Sequence, residues 1–470
     1  MDGAVVVPRI FGGVLMSIAV NSVSPPSIAV TRDLSIEFFI GIVIFSFHLA
    51  SYVPLQPESF FYSTAGTAGI NVVNTIPGLE YIKRICYIMM ILNLAKGYKR
   101  IASAPILHYL GRNYDVALIY LFGALSIAWS FDPTISLNRL ANDILLLSPV
   151  IYFIYVVRTP AQLVFFIYVS SAAMVIASLI SILLFPDLAI HQVGPGLLLD
   201  SSLRGTWRGV FAHKNIAAGV AALSLNLSLI YVIFGRHRLI NSAVCLLSIL
   251  FIYGAESKAI YASSLMIVPL AIILSLYNQA QNISRAVCFV ILGLTAAIPF
   301  LVVNWLYPAF DISLTDRALI WSAGFRLVES YPFAVEVGMG YAAAFGSGIS
   351  FGLISSSNLP QLVGHSHSAI MEAYTQLGIV GCVLYLMFCA NTMKIITFRA
   401  SQKLDDIVTS AALFAILFVC IMRGWTEPDF LSSRAQWSVF LMIGIFLRAA
   451  QFRRRSSKFA GARADSVINE

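Results

Sequence analysis

A basic, glycine-rich stretch immediately precedes a long apolar run near the middle of the chain. It reads Arg204-Gly-Thr-Trp-Arg208-Gly-Val-Phe-Ala-His-Lys214-Asn215. Arginine offers a fork of donors to a phosphate, glycine permits close backbone approach, and a helix N-terminus supplies free N–H groups with partial positive charge. The stretch therefore predicts that Arg204, Arg208 and Lys214 bind a phosphate or pyrophosphate. Asn215 is either a further ligand or the N-cap of the helix that follows.

A second candidate arginine lies about a hundred residues further on, in the longest polar segment. The segment contains Asp316-Arg317-Ala-Leu-Ile-Trp321. Arg317 is a candidate phosphate ligand, and an ordinary salt bridge to Asp316 or Asp311 is the alternative. The glycine-rich residues 338–348 of the same segment predict a flexible surface loop, with a role as a lid.

The polar segment ends in a pair of histidines, His365-Ser-His367-Ser. A neutral histidine has a pKa near ambient pH, which suits a general base. His-x-His also binds metals, but such a site needs a third or fourth ligand, for which His213 and Glu372 are the available candidates. A hydrogen-bonded, purely structural pair is the remaining alternative.

The elements that carry these residues belong to a chain far more apolar than a soluble protein. Of 470 residues, 59% are hydrophobic and 11% charged, with a mean hydropathy of +0.84, whereas soluble domains carry about 25% charged residues. A helix crosses the hydrocarbon core with roughly 20 apolar residues. Runs that meet or approach this length lie at 10–22, 34–53, 81–95, 113–131, 140–157, 161–185, 215–234, 239–254, 259–277, 286–306, 376–396, 405–422 and 432–450. We therefore predict an all-α, polytopic membrane protein of 11 to 13 transmembrane helices, with short helices in a long extracytoplasmic loop.

The basic residues indicate how the chain is oriented. Cytoplasmic ends of membrane proteins are enriched in Lys and Arg, and the C-terminus carries Arg448, Arg453, Arg454, Arg455, Lys458 and Arg463. Counting back from a cytoplasmic tail places two loops outside, and these hold the arginines described above against the usual bias. They are either surface charge near lipid headgroups or a basic pocket for an anionic substrate. The net charge of +8 is thus explained by the positions of the basic residues in a membrane protein, and we expect no nucleic-acid partner.

The same count divides the chain into six segments. These are N-terminal transmembrane helices (1–185), a basic extracytoplasmic loop (186–214), central transmembrane helices (215–306), a large extracytoplasmic loop (307–367), C-terminal transmembrane helices (368–450) and a basic cytoplasmic tail (451–470).

Taken in order, the motifs resemble the O-antigen ligase/polymerase superfamily. They are Arg208-Gly-Val-Phe-Ala-His-Lys-Asn215, then Asp316-Arg317 to Trp321, then His365-Ser-His367-Ser to Gly378, eleven residues beyond His367. The "FAHKN" segment and the paired histidines are most similar to the exopolysaccharide-polymerase branch, with Wzy-type and succinoglycan-polymerase-like members. Lys258, in Glu-Ser-Lys, and Glu427, in Thr-Glu, fall where this branch carries similar residues. The resemblance covers roughly residues 200–430 and departs at Asp316, where the family has glycine.

This resemblance implies an enzyme that transfers a glycan from undecaprenyl pyrophosphate to an acceptor hydroxyl, using no metal or other cofactor. Arg208 and Arg317 would bind the pyrophosphate, and His367 would act as the base for the acceptor hydroxyl or as the group that orients it. Substrate contacts would come from Arg204, Lys214, Asn215, His365, Trp321, Lys258 and Glu427. The implied location is the bacterial inner membrane, where lipids surround the helices and the active loops are periplasmic. A chain-length regulator and polysaccharide export proteins are the further partners expected.

Three functions remain open at this point. The first is polymerisation of lipid-linked repeat units into extracellular polysaccharide. The second is ligation of a finished glycan to lipid A-core or another acceptor, because only the acceptor differs. The third is transport of a lipid-linked sugar, although transporters usually place functional charges near the bilayer midplane and in repeated halves.

Overall fold

The computed structural model describes most of the chain from residue 111 onward, together with short pieces before it. The described residues are 5–7, 18–20, 41–42, 45–46, 88, 92, 111–157, 159–191, 204–211, 213–276, 286–287, 290–291, 293–294, 297–298, 301–306, 317–341, 343–344, 366–397, 404–425, 427, 430 and 437–449.

The described part is built of helices. They are α1 (Tyr114–Leu125), α2 (Pro133–Val156), α3 (Pro160–Leu184), α4 (Pro186–Ala189), α5 (Lys214–Ile233), α6 (Arg238–Ala255), α7 (Lys258–Leu276), α8 (Arg317–Glu329), α9 (Ala334–Val337), α10 (Ala369–Thr397), α11 (Leu404–Gly424) and α12 (Trp437–Ala449). A 3-10 segment, Ser126–Trp129, follows α1, and a π-helical turn spans Val302–Leu306. The predicted apolar runs from 161 to 277 coincide with α3, α5, α6 and α7 to within a residue or two.

Five helices are long and apolar enough to cross a membrane. They are Pro160–Leu184, Lys214–Ile233, Arg238–Ala255, Ala369–Ile396 and Asp406–Gly424, and the shorter apolar helices Tyr114–Trp129 and Trp437–Ala449 accompany them. A helix satisfies all of its backbone hydrogen bonds internally, which a segment in lipid requires. The predicted helical, polytopic membrane fold is confirmed.

The N-terminus differs locally from the prediction of a membrane helix over 10–22. Ile18–Val20 is a strand (β2) that pairs antiparallel with Val5–Val7 (β1). Both strands are rich in valine and isoleucine, whose branched side chains favour the extended backbone. The rest of the first three apolar runs lies almost entirely outside the described residues.

Helix α5 lies at the centre of the bundle. It packs against α3, α6, α7 and α11, and its first turns are lined by small residues, with Ala217, Ala218 and Ala221 fully buried. Small residues let helix backbones approach closely in a membrane, where van der Waals packing rather than water drives association. The N-terminus of α5, Lys214 and Asn215, is thereby fixed among its neighbours.

Helix α10 is broken at Gly378, which has a φ of 64° and a ψ of −157°. The turn that follows α9 fills the break, because the backbone N–H groups of Met339 and Gly340 donate to the carbonyls of Thr375 and Gln376, both at 3.0 Å. A Cβ on Gly378 would lie 2.4 Å from the backbone of Glu336. The crossing of two backbones therefore explains why glycine stands eleven residues after His367.

The same turn corrects the prediction of a flexible lid over 338–348. Residues 338–341 are buried, and the hydroxyl of Tyr341 donates to Asp143 of α2. The Tyr341 N–H donates to Ser126 Oγ at 2.9 Å, and its carbonyl accepts from Ser136 Oγ at 2.6 Å. The start of this segment is an anchor between the helix bundle and the loop helices. Residues 342 and 345–348 lie outside the described residues.

Arg448, which the sequence placed among the tail charges, is buried in α12. Its two terminal nitrogens donate to the two carboxylate oxygens of Asp115, at 2.5 and 2.6 Å. Asn391 Nδ2 donates to the same carboxylate at 2.9 Å. Arg448 is therefore a partner in a buried ion pair, which ties α12 to the start of α1 and to α10.

Candidate functional site

The centre of the site is the carboxylate of Glu427, which lies just beyond the end of α11. The side chain of Asn215, on the first turn of α5, donates to Glu427 Oε1 at 2.6 Å. The backbone N–H of Glu427 donates to the carbonyl of Arg423 at 2.8 Å, which ties Glu427 to the last turn of α11. The C-terminal end of α11 and the N-terminal end of α5 therefore meet at this carboxylate.

Arg423 stabilises this contact between the end of α11 and the start of α5. Its guanidinium donates to the backbone carbonyl of Asn215, and only 1% of the residue is exposed. A Cβ on Gly219 would lie 1.9 Å from Arg423 Nη1. Glycine at 219, one turn after Asn215, is thus what allows the buried arginine to lie across α5.

Two residues from the large loop reach the same carboxylate. Arg317, the first residue of α8, places Nη2 3.9 Å from Glu427 Oε1. His367 places Nδ1 4.0 Å from that oxygen, with 31% of its side chain exposed. Burial lowers the pKa of Arg317, and the charge of Glu427 opposes that shift. The carboxylate therefore faces an amide, a guanidinium and an imidazole from three separate segments.

The turn that carries His367 is clamped on both sides. The indole Nε1 of Trp321 donates to the carbonyl of Ser366 at 2.8 Å, and the N–H of Ser366 donates to Glu372 Oε1 at 2.7 Å. Gln376 Nε2 donates to the other oxygen of Glu372 at 2.7 Å. His367 itself has a φ of 54°, a backbone conformation that is uncommon for residues other than glycine. These contacts hold the strained turn in place, and they link the buried Trp321 to the residue before His367.

The first basic loop contains two antiparallel segments and contacts the start of α5. Ile190 and Trp207 form a bridge, and the N–H groups of Arg208 and Gly209 both donate to the carbonyl of Ala189 at 2.9 Å. The Trp207 N–H donates to Gly254 O at 2.8 Å, and a Cβ on Gly254 would enter the Trp207 ring. Trp207 therefore locks this loop onto the end of α6.

Arg208 is largely buried in this loop, with 7% exposed, and its Nε donates to the carbonyl of Leu188 at 2.8 Å. Burial lowers its pKa. Beside it, His191 Nε2 accepts a hydrogen bond from the backbone N–H of Lys214 at 3.3 Å, and the rings of His191 and His213 lie 5.4 Å apart. Burial and the charges of this group lower the pKa of His191 to about 3.

Together these residues form two groups at the N-terminus of α5. The mixed group contains Asn215, Arg317, His367 and Glu427, with Arg423 behind it. The basic group contains His191, Arg208, His213 and Lys214. A helix N-terminus with basic side chains attracts an anion, and a histidine beside a carboxylate is suited to proton transfer. The arrangement can therefore bind an anionic group next to a proton-accepting group.

The structure corrects one role and leaves others as predictions. His213, not Asn215, caps α5, because its Nδ1 accepts from the Asn215 N–H at 3.2 Å; Asn215 lies inside the helix, where its side chain is free to reach Glu427. Arg204 is exposed on the turn before Arg208. Lys258 is the first residue of α7, but its side chain lies outside the described part, as does His365.

Sequence reasoning did not identify Arg423 or His191 as site residues. A single arginine at the end of an otherwise apolar run was the available signal for Arg423, since such charges are expensive and usually functional. No comparable signal marked His191, because it joins the site through backbone pairing with residues 205–208. Within the part of the chain that the structure describes, no group of three or more His, Cys, Asp or Glu side chains is arranged to hold a metal ion.

Comparison with known proteins matches residues 243–386 to a family model described as O-antigen ligase. The matched range begins in α6 and ends in α10, and it includes Arg317, Trp321 and His367. Comparison with curated proteins finds no match.

Proposed function

We propose that the chain polymerises undecaprenyl-pyrophosphate-linked oligosaccharide repeat units into an extracellular polysaccharide, because residues 243–386 match a family model described as O-antigen ligase. The family supports glycan transfer from a lipid-linked donor, and the apolar helices support a membrane location. The proposal adds the acceptor, which is a second lipid-linked repeat unit, and a reaction that needs no metal. It also assigns the reaction to the outer face of the bacterial inner membrane and the C-terminus to the cytoplasm.

The reaction has one bond-forming and one bond-breaking change at the donor's anomeric carbon. The acceptor hydroxyl oxygen attacks this carbon, the bond to the pyrophosphate oxygen breaks, and that oxygen keeps the electron pair. The acceptor proton passes to His367, and the lipid pyrophosphate leaves with its negative charge. Arg208 and Arg317 stabilise the charge that grows on the leaving group.

Glu427 supports the base in this scheme. Its carboxylate faces Nδ1 of His367, which favours the tautomer with the proton on Nδ1, so that the lone pair on Nε2 accepts the proton of the acceptor hydroxyl. It also stabilises the imidazolium that forms. Glu427 contacts Arg317 as well, so it orients that guanidinium before the donor arrives.

The convergence of Arg317, His367 and Asn215 on Glu427 carries the proposal. These residues come from four separate parts of the chain, and fixed charges beside a histidine are what a metal-free glycan transfer requires. The basic group around Arg208 lies at the N-terminus of the same helix, and in this proposal it binds the pyrophosphate together with Arg317.

Elongation in vitro tests the proposal directly. Purified protein in detergent is supplied with lipid-linked repeat units, and products longer than one repeat are measured. Arg208→Ala and Arg317→Ala are expected to be nearly inactive while still inserting into the membrane. Arg326→Ala is the matched control, because Arg326 is exposed on the last turn of α8. Wild-type polymer length in the Arg208→Ala strain would overturn the assignment.

Ligation is the second candidate, because the matched family model is described as an O-antigen ligase. It uses the same donor and base, with lipid A-core or another molecule as acceptor. A deletion strain separates the two. Loss of exopolysaccharide supports polymerisation, whereas loss of laddered O-antigen with a normal capsule supports ligation. A transporter makes no glycosidic bond, so elongation by the purified protein would exclude transport as the whole function.

The proposed pathway also requires partners. A polymerase of this kind works with a chain-length regulator and with polysaccharide export proteins, and it is surrounded by membrane lipid. Genes for these proteins beside the gene for this chain would support the proposal.

A further inference from the structure

His191 lies in the basic group with Arg208, but the proposed reaction gives it no part. Its N–H donates to the carbonyl of Thr206 at 2.9 Å, and its carbonyl accepts from the N–H of Gly205 at 3.0 Å. In an antiparallel ladder, side chains alternate between the two faces. The bridge between Ile190 and Trp207 therefore places His191 on the same face as Arg208, opposite to the face that docks on α6.

The imidazole of His191 is neutral in the free protein. Its Nε2 accepts from the Lys214 N–H, so that nitrogen carries a lone pair. Burial, followed by the charges of His213, Arg208 and Lys214, lowers the pKa of His191 to about 3. These three side chains come from the paired strand and from the start of α5, and all of them oppose a further positive charge.

We propose that His191 is a charge-responsive ligand of the anion subsite, which takes up a proton when the lipid pyrophosphate binds beside Arg208. This inference rests on the proposed function, because it needs a pyrophosphate at the basic group. The bound anion reverses the local potential that keeps the imidazole neutral.

Protonation also changes what the helix end offers. A protonated Nε2 no longer accepts from the Lys214 N–H and becomes a donor itself. The released N–H of Lys214 then points from the helix N-terminus towards the anion, as phosphate-binding helix ends require. One proton thus adds two donors to the subsite, and it does so only when the ligand is present.

Isothermal titration calorimetry of the purified full chain in detergent tests this inference, with farnesyl pyrophosphate as the probe. Titrations at pH 6.5, in buffers of different ionisation enthalpy, give the number of protons taken up. If binding restores His191 to its ordinary pKa of about 6.5, wild type takes up about half a proton more than His191→Gln or His191→Asn. The proton carried by the ligand is common to all proteins, so it cancels in the difference.

His237→Gln is the matched control, because His237 is exposed before α6, at the far end of α5. It should keep the wild-type proton uptake. The gain from His191 should grow as pH falls from 8 to 6, because a group whose pKa rises on binding favours the complex at lower pH.

The outcomes separate the two proposals. Tight binding in wild type with equal proton uptake in both His191 variants overturns the role of His191 and leaves the proposed function standing. Equal probe binding in wild type and Arg208→Ala would show that Arg208 does not form an anion subsite, and both proposals would then fail. Lower proton uptake in both His191 variants, with the control unchanged, supports the inference.

Discussion

Glu427→Gln removes one negative charge and leaves the shape of the side chain almost unchanged. The amide oxygen of glutamine can still accept from Asn215, so the contact between α5 and the end of α11 survives. The change therefore tests how the charge of Glu427 acts on Arg317 and His367, whose nearest side-chain nitrogens lie 3.9 and 4.0 Å from Oε1.

The size of the effect follows from these distances. Two unit charges about 4 Å apart interact by about 4 kcal/mol at an effective dielectric constant of about 20. His367 forms its positive charge only in the transition state, and 31% of its side chain is exposed, so we discount this value by about half. A loss of about 2 kcal/mol corresponds to a fall of about 30-fold in the rate of transfer.

The affinity for the donor should not fall with the rate of transfer. Glu427 competes with the pyrophosphate for Arg317, so its neutralisation should leave the donor KM unchanged or lower it. Single-turnover and steady-state elongation by purified protein measure the two quantities separately. Glu329→Gln is the control, because Glu329 is exposed at the end of α8. A wild-type kcat in Glu427→Gln, or a loss that lies wholly in KM, would refute the reasoning.

Three further changes test other parts of the structure. His367→Ala should lower elongation by about 100-fold or more, as the loss of a general base does, whereas His365→Ala should cost less; the reverse order in the same assay would show that the wrong histidine has been chosen. Gly378→Ala should destabilise the protein by about 1–3 kcal/mol, because its Cβ meets the backbone of Glu336 and overpacking costs this much; an unchanged thermal midpoint in detergent would contradict the crossing of the two backbones. Asp115→Asn should destabilise by about 3–5 kcal/mol, because it leaves Arg448 buried without its charge partner; denaturant titration measures this, and a loss below 1 kcal/mol would argue against the buried ion pair.

The sequence by itself determined the class of protein and the bounds of the central helices. Runs of about 20 apolar residues leave a chain in lipid few alternatives to helices, and α3, α5, α6 and α7 follow those runs closely. It also supplied Arg317, His367 and Asn215 as candidates, because a guanidinium, an imidazole and an amide stand out in so apolar a chain, whereas Glu427 came only from the family resemblance.

Only the tertiary structure decided which of these residues meet. Glu427 lies 212 positions from Asn215 in the chain, and no local sequence pattern predicts a contact over such a separation. The structure also replaced the predicted lid with a buried anchor, since the freed carbonyls at the break in α10 needed donors, which Met339 and Gly340 supply. It moved the cap of α5 from Asn215 to His213, which is why the Asn215 side chain can reach the carboxylate. Periodicity and composition determine which segments leave water, whereas side-chain contacts between distant segments depend on how the helices pack.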